Sequence, residues 1–489
     1  MKKRDVLIYA LIALVGLIVG LKYAAATAIQ RHEYATMGMC LRGFSYGEMI
    51  RCVITDDRCP VLYHTMLFGL MKVASGNIFV LRLISVIFAA VGVFFAGLLG
   101  GRLRNLTAGV MLASLTIVFT CARTYGIDVR VYALLTTLSI IALYMYTLRW
   151  ENMGKESLRN QAWMGIVFGL LANTHYTGIV LIAALFIADV VLIAVKRSRP
   201  GALWSYIICF VMFIPWAICG VLMPILNKSA FLVNSAAEGA VRTRSIAKVW
   251  YKDKWLDMRI TRMIILAGFA WLGFVLRDIM KKRSVGPRGV FIFLFVFFVV
   301  FVEFYTRRPQ SNLGIRFFCP IFAVAFLACA EAGDRIIRGI FKNRVVAGVL
   351  TGPVCLFYLG FFMPRVMFIA RDDAYDITAA GKALAAERDI ENDDVLVYNA
   401  HRFLGADAYI RGWKDYYLSK RPKVKVAAAE EDADLTGINK VYLVRSELLR
   451  PDDKVMTTEA NIAKDFTLTE TRPLPYDSKN NRIEVYMRK

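Results

Sequence analysis

The chain has 489 residues, 57% of them hydrophobic and 20% charged, with a positive mean hydropathy. Apolar stretches recur through residue 370, a pattern foreign to soluble domains of this size, so the sequence specifies a polytopic membrane protein. The formal net charge of +23 sits mostly in short Lys and Arg clusters between apolar runs; membrane orientation and anionic lipid account for it, and nucleic acid is not an expected partner.

Met1 to Arg4 (MKKR) precedes an apolar run from about Val6 to Ala28, long enough to cross a ~30 Å hydrocarbon core as a helix. The run is longer than a signal peptide's apolar region and lacks a small-residue cleavage site, so it reads as an uncleaved anchor with a cytoplasmic N-terminus. Further spans are expected at roughly 80 to 101, 106 to 122, 131 to 148, 162 to 176, 177 to 195, 203 to 226, 263 to 280, 289 to 306, 316 to 333 and 345 to 369. Positive charge falls on alternate turns: Arg102 and Arg104; Arg149, Lys155 and Arg159; Lys196, Arg197 and Arg199; Lys281, Lys282, Arg283 and Arg288; Arg335, Arg338, Lys342 and Arg344. About eleven spans then form a domain over residues 1 to 370 and place the C-terminus outside.

The outer side collects the unusual material. Residues 29 to 79 form a long first loop with Glu33, Glu48, Asp56, Asp57 and an amphipathic stretch, Pro60 to Ala74, expected to lie in the interface. A second outer loop, about 227 to 262, interleaves Lys248, Lys252 and Lys254 with Trp250, Tyr251 and Trp255, which suits a helix at headgroup level. After Arg371 charge becomes dense and apolar runs shorten to strand length, predicting a small soluble α/β domain over 371 to 489 on the outer side. Its expected elements are strands at Val395 to Tyr398, Val424 to Ala427, Lys440 to Val444 and Ile483 to Met487, with a helix near Leu404 to Ile410. It has no Gly-rich phosphate loop. Of nine cysteines, Cys40, Cys52 and Cys59 share the first loop; a Cys52–Cys59 disulfide and free thiols both fit, and no metal-ligand spacing or cofactor motif is present.

Three helix ends on the outer side carry polar residues that lipid does not tolerate without a reason. They are Arg31, His32 and Glu33; Asp128, Arg130 and Tyr132 within Tyr125 to Tyr132; and His175 in the turn Asn173 to Tyr176. Arg307, Arg308 and Arg316 flank the tenth span on that side, so this reading gathers all the carboxylates on one face. Each group also has a structural reading: an interfacial ion pair for Glu33, an exposed pair for Asp128 with Arg130, a satisfied turn for His175. Convergence at one depth favours a site. Group transfer from a lipid-linked donor fits it: a polyprenyl phosphate leaves as a weak base and needs cations, while the acceptor hydroxyl needs one carboxylate to take its proton, and direct displacement inverts the anomeric carbon.

At these residues the chain resembles the GT-C fold membrane glycosyltransferases, in the branch of dolichyl-phosphate-mannose protein mannosyltransferases and lipid A aminoarabinose transferases. That branch's motif order falls here on His32 and Glu33; Cys59, Pro60, Leu62 and Tyr63, with Arg58 beside them; Arg82; Asp128, Arg130 and Tyr132; His175 and Tyr176; and Arg316 with Phe317. His32 stands where the branch has Asp. The resemblance implies an undecaprenyl-phosphate-linked sugar donor, a cell-envelope lipid, glycan or protein acceptor, and an outward-facing site in a bacterial inner membrane. Glu33 is then the expected base and Asp128 a second carboxylate, with Arg31, Arg58, Arg130 and Lys248 for the phosphate and His32, Tyr63, Tyr132, His175 and Arg316 lining the substrate. A lipid or polysaccharide transporter and a non-catalytic envelope assembly protein are the alternative readings.

Overall fold

The computed structural model describes residues 2–26, 31–41, 45–54, 59–74, 77–117, 124–153, 157–195, 198–222, 258–281, 286–306, 319–340, 377–386, 395–399, 417–418, 425–428, 435–445, 460–473 and 482–489. The chain begins with α1 (Lys3–Ala26), then three shorter helices, α2 (Arg31–Leu41), α3 (Tyr46–Cys52) and α4 (Leu62–Ala74). Next come α5 (Ile78–Leu103), α6 (Leu106–Thr116), a single turn α7 (Thr124–Ile127), α8 (Tyr132–Glu151), α9 (Leu158–Ala172), α10 (Tyr176–Ala194) and α11 (Trp204–Trp216). α12 (Met258–Met280), α13 (Arg288–Thr306), α14 (Cys319–Ile340) and α15 (Ile377–Ala386) follow.

Lys3–Ala25, Ile78–Leu103, Tyr132–Glu151, Tyr176–Ala194 and Pro200–Leu222 are long and apolar enough to cross a membrane. The other expected spans up to residue 333 fall on α6, α9, α12, α13 and α14, while 345–369 lies outside the described residues. So do Arg58, the loop residues 227–257 with Lys248, Arg307, Arg308 and Arg316, and the helix expected at 404–410.

Short polar residues start the helices, because the first N–H groups of a helix have no partner within it. Asn77 accepts from Phe79 and Val80 N–H, Asn105 from Ala108 and Ser157 from Asn160, and Ser45 with Glu48 forms a capping box on α3. α1, α5 and α6 pack around Tyr9, whose ring lies against Gly97 and Gly101 of α5 and Gly109 of α6. A Cβ on Gly101 would stand 2.2 Å from the Tyr9 hydroxyl oxygen, and that hydroxyl has no hydrogen-bond partner among the described residues. Gly101→Ala is therefore expected to cost about 1–3 kcal/mol by overpacking. Tyr9→Phe should recover part of this loss, and thermal unfolding of the single and double variants checks both.

One expectation needs correction: the carboxylates do not gather at one end. At the end of the bundle opposite α2, Asp189 accepts from Tyr146 (2.9 Å) and Tyr206 (2.5 Å) and pairs with Arg149. Asp278 and Glu331 share Arg288 (3.3 and 2.8 Å) and Arg335 (2.7 and 2.9 Å), and Trp271 Nε1 donates to Glu331. Asp334 accepts from Asn105 and pairs with Arg104 and Arg338. Several arginines expected in the alternate turns instead lie at helix ends and pair with acids inside the helices. A buried carboxylate is tolerated only with such partners.

The C-terminal strands form one sheet in the order β2-β1-β3-β5-β4, with β1 (Val395–Asn399) parallel to β2 (Lys425–Ala428) and β3 (Lys440–Arg445). β5 (Arg482–Arg488) runs antiparallel to β3 and to β4 (Phe466–Pro473). The two-residue period of the strands splits their apolar residues between two clusters. Leu396, Val441, Leu443 and Phe466 pack with Ile438 and Ile462, while Val395, Val397, Tyr442, Val444, Ile483 and Val485 join the cluster that fills the helical core. The sheet is covered on both faces, one of them by the rest of the molecule.

Candidate active site

The site is built where α2, α4, α5 and the α7–α8 turn meet. Arg82, one turn into α5, is fully buried and donates through Nε and Nη2 to the two oxygens of Glu33 on α2 (2.9 and 2.6 Å), while its Nη1 caps the Ala24 carbonyl at the end of α1 (3.0 Å). Glu33 Oε1 also accepts the Val129 N–H (2.9 Å). This bidentate, charge-assisted pair and its two main-chain contacts tie four segments together, α1, α2, α5 and the turn of Val129. Glu33 has no exposed surface, and three donors use most of its acceptor capacity.

Asp128 sits next to that anchor. Its main-chain carbonyl accepts from Ser85 Oγ (2.6 Å), and the Ser85 hydroxyl also meets that of Tyr63 (3.2 Å), so α4 and α5 together fix the loop. The residue is buried, with 8% exposure, and its carboxylate accepts no hydrogen bond from a described residue. Burial, and then the Glu33 charge, push its proton affinity well above the usual carboxylate range, against the opposing pull of Arg82 and Arg130. Arg130 is half-buried and donates through Nη1 to Thr36 Oγ1 on α2 (2.9 Å). Two carboxylates and two guanidiniums thus lie within one small cluster, formally neutral, with Glu33 fully engaged and Asp128 not.

The remaining expected site residues sort by contact. Tyr63 is fully buried beneath Asp128, and burial raises its phenol above the usual tyrosine range. Tyr132 opens α8 with its ring centroid 6.1 Å from that of His175. His175 is the N-cap of α10, its Nδ1 accepting the Thr177 N–H (3.2 Å) and meeting the Thr177 hydroxyl. Arg31 and His32 open α2, and their side chains lie outside the described residues. Cys52 and Cys59 are thiols rather than a disulfide, and burial, then neighbouring Cys52, pushes the Cys40 thiol up to about 12, so it stays protonated and inert. Among the described residues no three His, Cys, Asp or Glu side chains converge as metal ligands. Thr36, Ser85 and the Val129 N–H escape sequence reasoning, since nothing marks a lone hydroxyl or amide until the chain is folded.

Residues 57–219 match the family model of dolichyl-phosphate-mannose-protein mannosyltransferase, a stretch that includes Arg82, Asp128, Arg130 and His175 and begins after Glu33. Among solved structures, ArnT from Cupriavidus metallidurans bound to undecaprenyl phosphate superposes with a TM-score of 0.59 at 11% identity, covering 99% of this chain and 98% of that one. The chain has the GT-C fold of membrane glycosyltransferases. The same GT-C architecture is found in the Archaeoglobus fulgidus oligosaccharyltransferase tethered with an acceptor peptide, with a TM-score of 0.52 at 10% identity over 97% of this chain and 74% of that one. No curated protein matches the chain by sequence.

Proposed function

We propose that the chain is an inverting glycosyltransferase that moves a sugar from a polyprenyl-phosphate donor to a hydroxyl of a cell-envelope lipid, glycan or protein, at the outer face of a bacterial inner membrane. The observation that carries this reading is the division of labour between the two carboxylates: Glu33 is taken up by Arg82 and the Val129 N–H, whereas Asp128, also buried, has a carboxylate to which no described residue donates. The fold, and the lipid phosphate bound by the similar ArnT, support the donor class.

In this scheme Asp128 takes the proton of the acceptor hydroxyl as its oxygen attacks the anomeric carbon. The bond from that carbon to the phosphate oxygen breaks, and the lipid phosphate leaves with the electron pair. Arg130 balances the leaving charge, with Arg31, Arg58, Lys248 and Arg316 as further candidate cations. The base role moves from Glu33, the sequence-based expectation, to Asp128, because Glu33 is fully buried with most of its acceptor capacity taken by Arg82 and the Val129 N–H. Glu33 becomes the anchor that holds α2 to the loop of Asp128.

Asp128 must be ionised to act, and its proton affinity is raised, so transfer should climb with pH along an acid limb lying above the ordinary Asp value of about 4. Over that window the unfolded chain binds fewer protons than the folded one, so stability falls slightly as pH rises. A rate–pH profile whose acid limb sits at about pH 4 would remove Asp128 from the role.

A further inference from the structure

Helix α2 touches the site through Glu33 to Arg82 and, one turn on, through Thr36 to Arg130, and Tyr34, lying between them in sequence, reaches elsewhere. Tyr34 is fully buried and donates its hydroxyl hydrogen to the hydroxyl of Tyr417 (3.0 Å), 383 residues along the chain, with the ring centroids 6.0 Å apart. Tyr417 is itself seated by Gly381 of α15: a Cβ there would stand 2.3 Å from the tyrosine ring. A side chain at position 381 would have to displace the ring whose hydroxyl meets α2. Leu384 and Leu418, beside these two residues, belong to the same hydrophobic cluster as Tyr34, so the contact is the polar point of a continuous packed junction.

We infer that Tyr417 is a positioning residue of the site: by accepting the hydrogen bond of Tyr34 it sets the register of α2, and so holds Thr36 against Arg130 where the donor phosphate is to bind. The C-terminal part of the chain then tunes donor affinity without touching the donor. This rests on the proposed donor reading. The geometry also makes a distinction that packing alone would not. A residue that only fills space is replaced by any change that relieves its clash, whereas a residue that positions α2 needs its hydroxyl.

The test uses the full chain in lipid nanodiscs and undecaprenyl phosphate as the probe, with affinity and thermal midpoint measured on each variant. Tyr417→Phe and Tyr34→Phe should each weaken binding by about two- to tenfold, with the thermal midpoint lowered by no more than one lost hydrogen bond accounts for. Their combination should be no weaker than either alone. Gly381→Ala should lower both midpoint and affinity, and adding Tyr417→Ala, which removes the clash but leaves a cavity, should recover at most part of the midpoint while leaving affinity low. Parent-like affinity in Tyr417→Phe, or affinity restored together with the midpoint in the Gly381→Ala, Tyr417→Ala pair, would overturn the inference alone. Absence of undecaprenyl phosphate binding by the parent would overturn it together with the donor reading.

Discussion

Asp128→Asn is expected to lower the transfer rate by about 10²- to 10⁴-fold, the usual worth of a general base, while leaving the thermal midpoint unchanged or raised. The two halves of this expectation come from the same feature. Among the described residues no donor reaches the Asp128 carboxylate, so an amide of the same shape breaks no bond. Burial already disfavours the ionised form, so a permanently neutral side chain relieves a penalty. A structural carboxylate would behave in the opposite way, losing stability and activity together. Initial rates with a polyprenyl-phosphate sugar in liposomes, beside unfolding curves on the same preparations, separate the cases.

The second large effect is on folding. Arg82→Met should destabilise the protein by about 3–5 kcal/mol, because it strands the Glu33 carboxylate without its cation in a site closed to water. The Ala24 carbonyl at the end of α1 loses its donor at the same time. Replacing both partners, Glu33→Gln with Arg82→Met, removes the uncompensated charge and is expected to be clearly more stable than Arg82→Met alone. Unfolding of the single and double variants in one detergent measures this difference. If the double variant is no better than the single, the pair is not what holds α2 to α5.

Much of the helical organisation was legible because apolar runs of a helix-spanning length announce themselves, whereas the caps at Asn77, Asn105, Ser157 and His175 emerge only in the structure. Three of the expected strands coincide with β1, β3 and β5 to within a residue at either end, and β2 is offset by one. β4, read as FTLTETRP, was missed: an edge strand alternates apolar and polar residues only weakly, and Thr and Glu conceal the period. The amphipathic reading of Pro60 to Ala74 matches α4, which buries Tyr63, His64, Leu67, Phe68 and Met71 on one face.

The candidate site was legible in its residues and less so in its roles. Glu33 and Asp128 both read as acids at one depth, yet which of them is consumed by a cation depends on Arg82, which lies 49 positions beyond Glu33 and faces it only once α5 packs against α2. The carboxylates at the opposite end were invisible for the same reason. Asp189 and Asp278 draw their arginines from neighbouring helices, and only Glu331 and Asp334 also have i,i+4 partners, Arg335 and Arg338, on their own helix. Pairing is a property of the fold, and the linear pattern carries it weakly.

The central claim, that this chain adds a lipid-linked sugar to the cell envelope through Asp128, is tested most directly by mass spectrometry of envelope glycans. Three strains decide it: one with the parent protein, one carrying Asp128→Asn at equal abundance, and one lacking the protein. The account predicts a sugar addition present only with the parent, with the Asp128→Asn profile matching the deletion. Identical profiles in all three strains, or a full modification with Asp128→Asn, would contradict it.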